Sequence, residues 1–228
     1  MSPTVISPGS ADPLSLRERK KLRTRRALID AALERFTAQG FDGTTLDELC
    51  AAVEISKRTF FRYFSSKEDV AMAPTQDLWN AFLEDLESRE PTGRTLLEML
   101  QDALLAALHR MPAEGWANRV SLSHRLVAKT PALGAHCLHF CDRTSRAVIG
   151  ILRQRFVLAE RDDVRLRLAL DIVVAAFHCA LEKWTSRPGA PTRDKLTRQV
   201  RDAFAAIPGS LTLTVTPGVK AERAPLSR

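Results

Sequence analysis

The chain has 228 residues, with 34 Lys and Arg against 27 Asp and Glu and a formal net charge of +7 at pH 7. That length suits one small domain joined to a medium one; 45% hydrophobic residues allow a sizeable core, and a pI near 9.6 points to a polyanionic partner without separating DNA from RNA or an anionic membrane. The polar N-terminus lacks a secretory signal, no apolar run is long enough to span a bilayer, and the four cysteines show no scaffold spacing. The expectation is a cytoplasmic protein with reduced thiols and no membrane contact.

Few segments alternate strictly and Ala/Leu/Arg-rich runs dominate, so the predicted fold class is all-α. Residues 1–14 read as a disordered tail. A helix is expected over 16–39, with Leu22, Ile29, Leu33 and Phe36 as its buried stripe and Gly40 as its stop. Arg17, Arg19, Lys20, Lys21, Arg23, Arg25 and Arg26 crowd its first turns, opposed locally by Glu18 alone. Arg19, Lys20 and Arg23 suit phosphate contacts. A solvated helix face is the competing reading.

The next stretch carries the densest local signals. Thr45 with Glu48 spells a capping box, and Leu46, Leu49, Cys50 and Val53 share one helical face. Ser56 is a good N-cap for a helix over 57–64 that turns Phe60 and Phe64 to one side and Lys57, Arg58, Thr59 and Arg62 around the other. Ser65 with Glu68 offers another capping box for a helix over 67–88. Two short helices joined by a tight turn, the second basic at its N-terminal end, describe a helix-turn-helix whose second helix can enter the DNA major groove. On spacing alone a helical hairpin with solvated charges fits equally well.

Within 67–88, Val70, Leu78, Phe82 and Leu86 suit burial, and Pro74 is expected to kink the helix or split it. After a break at 90–93, helices are expected over 95–111, 116–129, 132–158, 162–186 and 192–207, the last capped by Thr192. Residues 168–181 are apolar nearly all round, which argues for burial on two sides. Residues 208–228 read as a mostly disordered tail, although 211–215 alternate as a strand would. His136, Cys137, His139 and Cys141 invite a metal reading. The His pair and the Cys pair lie on different sides of one helix, so a closed site would need His178 or Cys179 as well. Buried structural thiols are the simpler reading, and no metal or other cofactor is expected. No nucleophile-elbow, zinc-protease, P-loop or dinucleotide motif appears, so the chain is not expected to be an enzyme.

The residues Ala31-Ala32-Leu33, Phe36, Gly40-Phe41, Thr44-Thr45-Leu46, Leu49, the run from Ile55 to Phe64 and Lys67-Glu68 resemble the N-terminal domain of TetR-family transcriptional regulators, with fitting spacing throughout. The resemblance implies a DNA-binding domain over 15–66 and a helical ligand-binding and dimerisation domain over 67–207. It implies a homodimer formed through 162–186 and 192–207, against which stands the reading of 162–186 as a monomer's central helix. It also implies a pocket for a largely apolar small molecule, with Trp116, His124, Leu126, Phe140, Phe177, His178, Cys179 and Trp184 as candidate lining, though each can equally be core. For DNA it implies phosphate contacts from Thr45, Ser56 and Lys67, with Lys57, Arg58 and Thr59 facing bases or flanking backbone. Arg58 is the best candidate for a bidentate contact to guanine.

The chain departs from the family pattern at two positions. Many relatives have Gly where Arg58 stands and Tyr where Phe61 stands. Phe61 cannot donate to a phosphate, which passes that role to Arg62 and Tyr63. The implied function is a ligand-responsive regulator, a repressor released by a small molecule. The alternatives are a sequence-nonspecific architectural DNA-binding protein and a metal-sensing regulator using the 136–141 stretch.

Overall fold

The computed structural model describes residues 15–91, 93–156 and 164–215. These form nine helices and no strand: α1 (Leu16–Gln39), α2 (Leu46–Ala52), α3 (Lys57–Phe60), α4 (Lys67–Ser88), α5 (Leu96–Arg110), α6 (Trp116–Lys129), α7 (Pro131–Arg155), α8 (Val164–Thr185) and α9 (Arg193–Leu211). The expected tail at 1–14, the part of the expected 208–228 tail beyond residue 215, residue 92 and the stretch 157–163 lie outside the described residues.

Local chemistry sets most helix starts. Ser15, Thr45 and Thr95 each form a reciprocal capping box with the glutamate three residues on. Ser56, Ser66 and Thr192 cap α3, α4 and α9 by accepting a backbone N–H. Each cap stabilises its helix by about 1 kcal/mol.

Two cores follow. One gathers Leu28, Leu33 and Phe36 of α1, Leu49 of α2, Phe60 and Phe64, and Val70 of α4. Leu126 of α6 and Leu133 of α7 reach into it. The other is larger and draws on α4 to α9, from Leu78 to Phe204. Helix α4 belongs to both: Val70 and Ala73 face the first core, Leu78, Phe82 and Leu86 the second.

Several expectations need correction. Helix α3 ends at Phe60 rather than running to residue 64. The chain tightens there, with Arg62 N–H donating to Thr59 O at 3.2 Å and Tyr63 N–H to Phe60 O at 2.8 Å, which brings Phe64 against Phe60 (centroids 5.8 Å apart). Ser66, not Ser65, caps α4; Ser65 instead hydrogen-bonds the Asp69 carboxylate. Pro74 does not split α4. It lies in the protein interior, and the Trp116 indole donates to its carbonyl at 3.0 Å. Helix α9 runs on through Pro208 to Leu211, and residues 213–215 form no strand. A proline in the last turns removes one donor and leaves most of the ladder intact. Leu22 is 55% exposed rather than buried. No helix among the described residues is long and apolar enough to cross a membrane.

Candidate nucleic-acid interface

The turn between α2 and α3 is closed by backbone bonds from Glu54 N–H to Ala51 O and Ile55 N–H to Cys50 O, with Glu54 at φ 53°. A left-handed non-glycine residue costs about 1 kcal/mol or more, so the packing around it over-determines the turn. Ser56 Oγ accepts Thr59 N–H at 3.2 Å and lies 3.1 Å from the Thr59 hydroxyl. Phe60 is fully buried, which fixes the rotation of α3. Lys57, Arg58, Phe61 and Arg62 are thereby left on the solvent side. Lys57 is steadied by Asp47 of α2 at 2.9 Å. Phe61 is 56% exposed, its ring edge-on to Phe60. Tyr63 is half-buried and packs on the first core, so it is less available than Arg62.

The basic turns of α1 flank this face. Leu16, Arg19, Lys20, Arg23 and Thr24 share an open cleft with Val53 and Glu54 of the α2–α3 turn. Arg25 is withdrawn from the set: its guanidinium makes two hydrogen bonds to Asp77 of α4 at 2.7 and 2.8 Å and stacks 5.3 Å over Phe64. Sequence spacing could not separate Arg25 from its basic neighbours.

Two expected phosphate contacts are engaged within the fold. Lys67 Nζ donates to Phe41 O and Thr44 O, both at 2.8 Å, and lies 4.4 Å over the Phe41 ring. Only one of its three donors remains. The Thr45 hydroxyl donates to the Glu48 carboxylate at 2.9 Å and accepts Glu48 N–H. Hydrogen bonds from the Thr45 amide and hydroxyl hold the Glu48 carboxyl below its ordinary range, so it stays anionic at this helix start.

The expected ligand-pocket residues separate into several places. Trp116 and Phe177 are core, the latter edge-on to Trp79 with centroids 5.3 Å apart. Phe140 and Cys141 line a small apolar cavity with Trp79, Thr144, Val148 and Leu170. Trp79 and Thr144 had no sequence signal beyond membership of a buried stripe. His124 is half-buried; burial first, then the nearby His178, lowers its pKa. His178 is exposed on α8 beside Cys141, and Cys179 is exposed next to it. Trp184 sits apart, at the α8–α9 turn.

The 136–141 stretch does not converge on a metal. His136 Nε2 meets Asp69 of α4 at 2.9 Å, while the free thiols of Cys137 and Cys141 share a hydrogen bond. No group of three or more potential ligands forms among the described residues. The Cys141 hydrogen bond brings the Cys137 thiol down to about 7, and Cys137 in turn raises that of Cys141.

Asp69 collects further bonds from Ser65 N–H at 3.1 Å, from the Ser65 hydroxyl and from Gln76 at 3.3 Å. It therefore ties the end of the α3 turn to α7. Asp30 of α1 and Arg119 of α6 make a second tie at 3.0 Å.

Comparison with known proteins agrees with this geometry. The family described as bacterial regulatory proteins, tetR family, matches residues 28–73, and the MftR C-terminal domain matches residues 94–208. The HTH-type transcriptional regulator TcmR of Streptomyces glaucescens is 37% identical over 176 residues, which cover 75% of this chain and 77% of TcmR. IcaR of Staphylococcus epidermidis, a negative transcriptional regulator of a biofilm operon, is 32% identical over 59 residues, 26% of this chain and 32% of IcaR. Among solved structures, the SmeT–triclosan complex shares the fold at TM-score 0.50 and 20% identity, covering 89% of this chain and 99% of that one. With a buried Phe60 presenting a cationic α3, and with TcmR alike over three quarters of its length, the chain belongs to the TetR family of DNA-binding transcriptional regulators.

Proposed function

We propose that this regulator is a homodimeric repressor that reads a near-palindromic operator through α3 and releases it when a small, largely apolar molecule enlarges the cavity beside Phe140. The observation that carries the DNA half is the outward face of α3. Burial of Phe60 leaves Lys57, Arg58 and Arg62 exposed on one side, flanked by Arg19, Lys20 and Arg23. Arg58 is assigned to a base edge, and Ser56, Lys57, Thr59 and Arg62 to the flanking backbone. Thr45 and Lys67 act chiefly by holding α2 and the α1–α2 loop in place.

The dimer rests on α8. Leu168, 53% exposed, aligns with Ile172, Ala175 and Cys179 at helical spacing on a face that no other described helix covers. A second copy on α8 and α9 would place the two α3 helices about one DNA turn (~34–36 Å) apart. The repressor sign is supported by IcaR's description as a negative regulator, and the ligand half by the apolar cavity and by SmeT's occurrence as a triclosan complex. Occupancy of the cavity pushes on α7. Through His136–Asp69–Ser65 and through Leu133 that displacement reaches the reading head. A ligand that prefers the displaced state shifts the population away from DNA.

The test is binding of the purified protein to the DNA flanking its own gene, with excess random duplex as competitor. A dimer-sized complex that survives and footprints a near-palindrome is expected. Loss of the complex to random duplex would instead favour an architectural DNA-binding protein.

A further inference from the structure

The turn joining α8 to α9 encloses a cavity of about 170 Å³ that neither the reading head nor the α7 pocket uses. Trp184, Arg187, Lys195, Arg198 and Gln199 line it, together with the backbone of residues 188–191. Trp184 is 5% exposed and Gln199 4%. Both carry a buried polar atom without a hydrogen-bond partner, indole Nε1–H and amide Oε1, and no other described side chain does. Native proteins leave few such atoms, because an unmet donor or acceptor in the interior is costly. The Gln199 amide cannot rotate to cure its defect. Its Nε2 donates to Asp202 at 3.1 Å, and a carboxylate only accepts, so Oε1 must point elsewhere.

The charged side chains that line the cavity are of one sign. Lys195 Nζ gives one hydrogen bond to Ala190 O at 3.0 Å and keeps two donors. Arg187 and Arg198 are exposed at the mouth and make no ion pair or hydrogen bond among the described residues. No Asp or Glu lines the cavity. Pro188 and Pro191 bracket the turn and restrict its backbone, so little ordering is left for a ligand to impose. An apolar guest would leave both orphan atoms unmet. A cation would meet three positive charges.

We infer that this cavity binds a small oxyanion that also carries a hydrogen-bond donor, a hydroxycarboxylate or a hydrogen phosphate. The anion's oxygens accept from Trp184 Nε1–H and from the Arg187, Lys195 and Arg198 head groups. Its O–H donates to Gln199 Oε1. The site is independent of the operator reading and of the apolar pocket, so it stands or falls separately from both.

The experiment is calorimetric titration of the full-length protein with citrate, malate and inorganic phosphate at constant ionic strength, with glycerol as the uncharged control. Saturable binding at one site per chain is expected for at least one anion and none for glycerol. Preference for citrate or malate identifies an organic acid; preference for phosphate identifies the inorganic ion or a monoester. Trp184→Phe removes the N–H together with part of a buried ring, and should weaken binding about tenfold. The smaller ring leaves space in the core, so its unliganded melting temperature should fall modestly, and binding is compared where both proteins are folded. Arg187→Ala with Arg198→Ala should weaken binding further, whereas Arg58→Ala at the reading head should leave it unchanged. The inference is overturned by absence of saturable binding at millimolar anion, or by binding that Trp184→Phe and the double Arg variant leave intact. It is equally overturned if Trp184→Phe dissociates a dimer seen for the parent in sedimentation, since a partner copy would then be filling the cavity.

Discussion

The reading head and the larger domain use their polar groups in opposite ways. Around α2 and α3, the capping side chains bond within three residues of themselves, Thr45 with Glu48 and Ser56 with Thr59, and the Lys57–Asp47 pair spans only ten. The groups left over, Arg58 and Arg62, face solvent. Beyond α4 the decisive contacts join residues far apart in sequence: Trp116 to Pro74, His136 to Asp69, Phe177 to Trp79. An outward surface can be built from local spacing. An inward pocket depends on which helix faces which.

The largest expected effect contrasts two adjacent aromatics. Phe60→Ala empties a fully buried site and should cost about 3–5 kcal/mol in urea unfolding, with loss of DNA binding. Phe61→Ala, at an exposed site, should stay within about 0.5 kcal/mol. Equal losses would mean that α3 is rotated from the orientation described.

Lys67 and Arg58 sharpen the contrast between holding the head and reading with it. Lys67→Ala removes two hydrogen bonds and a cation–ring contact, and should lower stability by about 1–3 kcal/mol. The slope of DNA affinity against salt should barely change; a fall of about 1 would return Lys67 to the phosphates. Arg58→Ala should leave the melting temperature unchanged. In fluorescence anisotropy it should cost about 1–3 kcal/mol of preference for operator over random duplex.

The tie between the two regions is testable by pH. Burial raises the Asp69 pKa, but hydrogen bonds from Ser65, Gln76 and His136 together outweigh it and hold the carboxyl below its ordinary value of 3.8. A depressed native pKa means the unfolded chain binds the proton first. The contribution is therefore present above the ordinary value and lost as pH falls below it. Asp69→Asn should lower stability at neutral pH and flatten the acid limb of a stability–pH curve. An unchanged limb would assign acid sensitivity to other carboxylates.

The smallest effect on the fold should come at α7. With its thiol near 7, Cys137 should react with iodoacetamide increasingly as pH rises through that value, followed by mass spectrometry. Cys141→Ala removes the hydrogen bond responsible and should move the reaction toward the ordinary thiol range near 9.0. Unaltered reactivity would place the two thiols out of bonding distance.

Much of the reading head was legible in the sequence. Caps at Thr45, Ser56 and Thr192 mark their helices, and the bounds of α1 and α6 follow from periodicity and stop signals. A capping bond spans three residues and a helical stripe repeats within one turn, so neither needs knowledge of distant chain. The same periodicity shows that Phe140, Phe177 and Trp184 face inward, but not what they face. Only the tertiary structure sends Arg25 to Asp77, Lys67 to the α1–α2 loop carbonyls and His136 to Asp69. Only it places Trp79 at the cavity and leaves Trp184 Nε1 and Gln199 Oε1 without partners at the α8–α9 turn. Helical period determines a side chain's direction from its own axis, whereas its partner is determined by how separate helices pack, and that depends on every residue in the shared core.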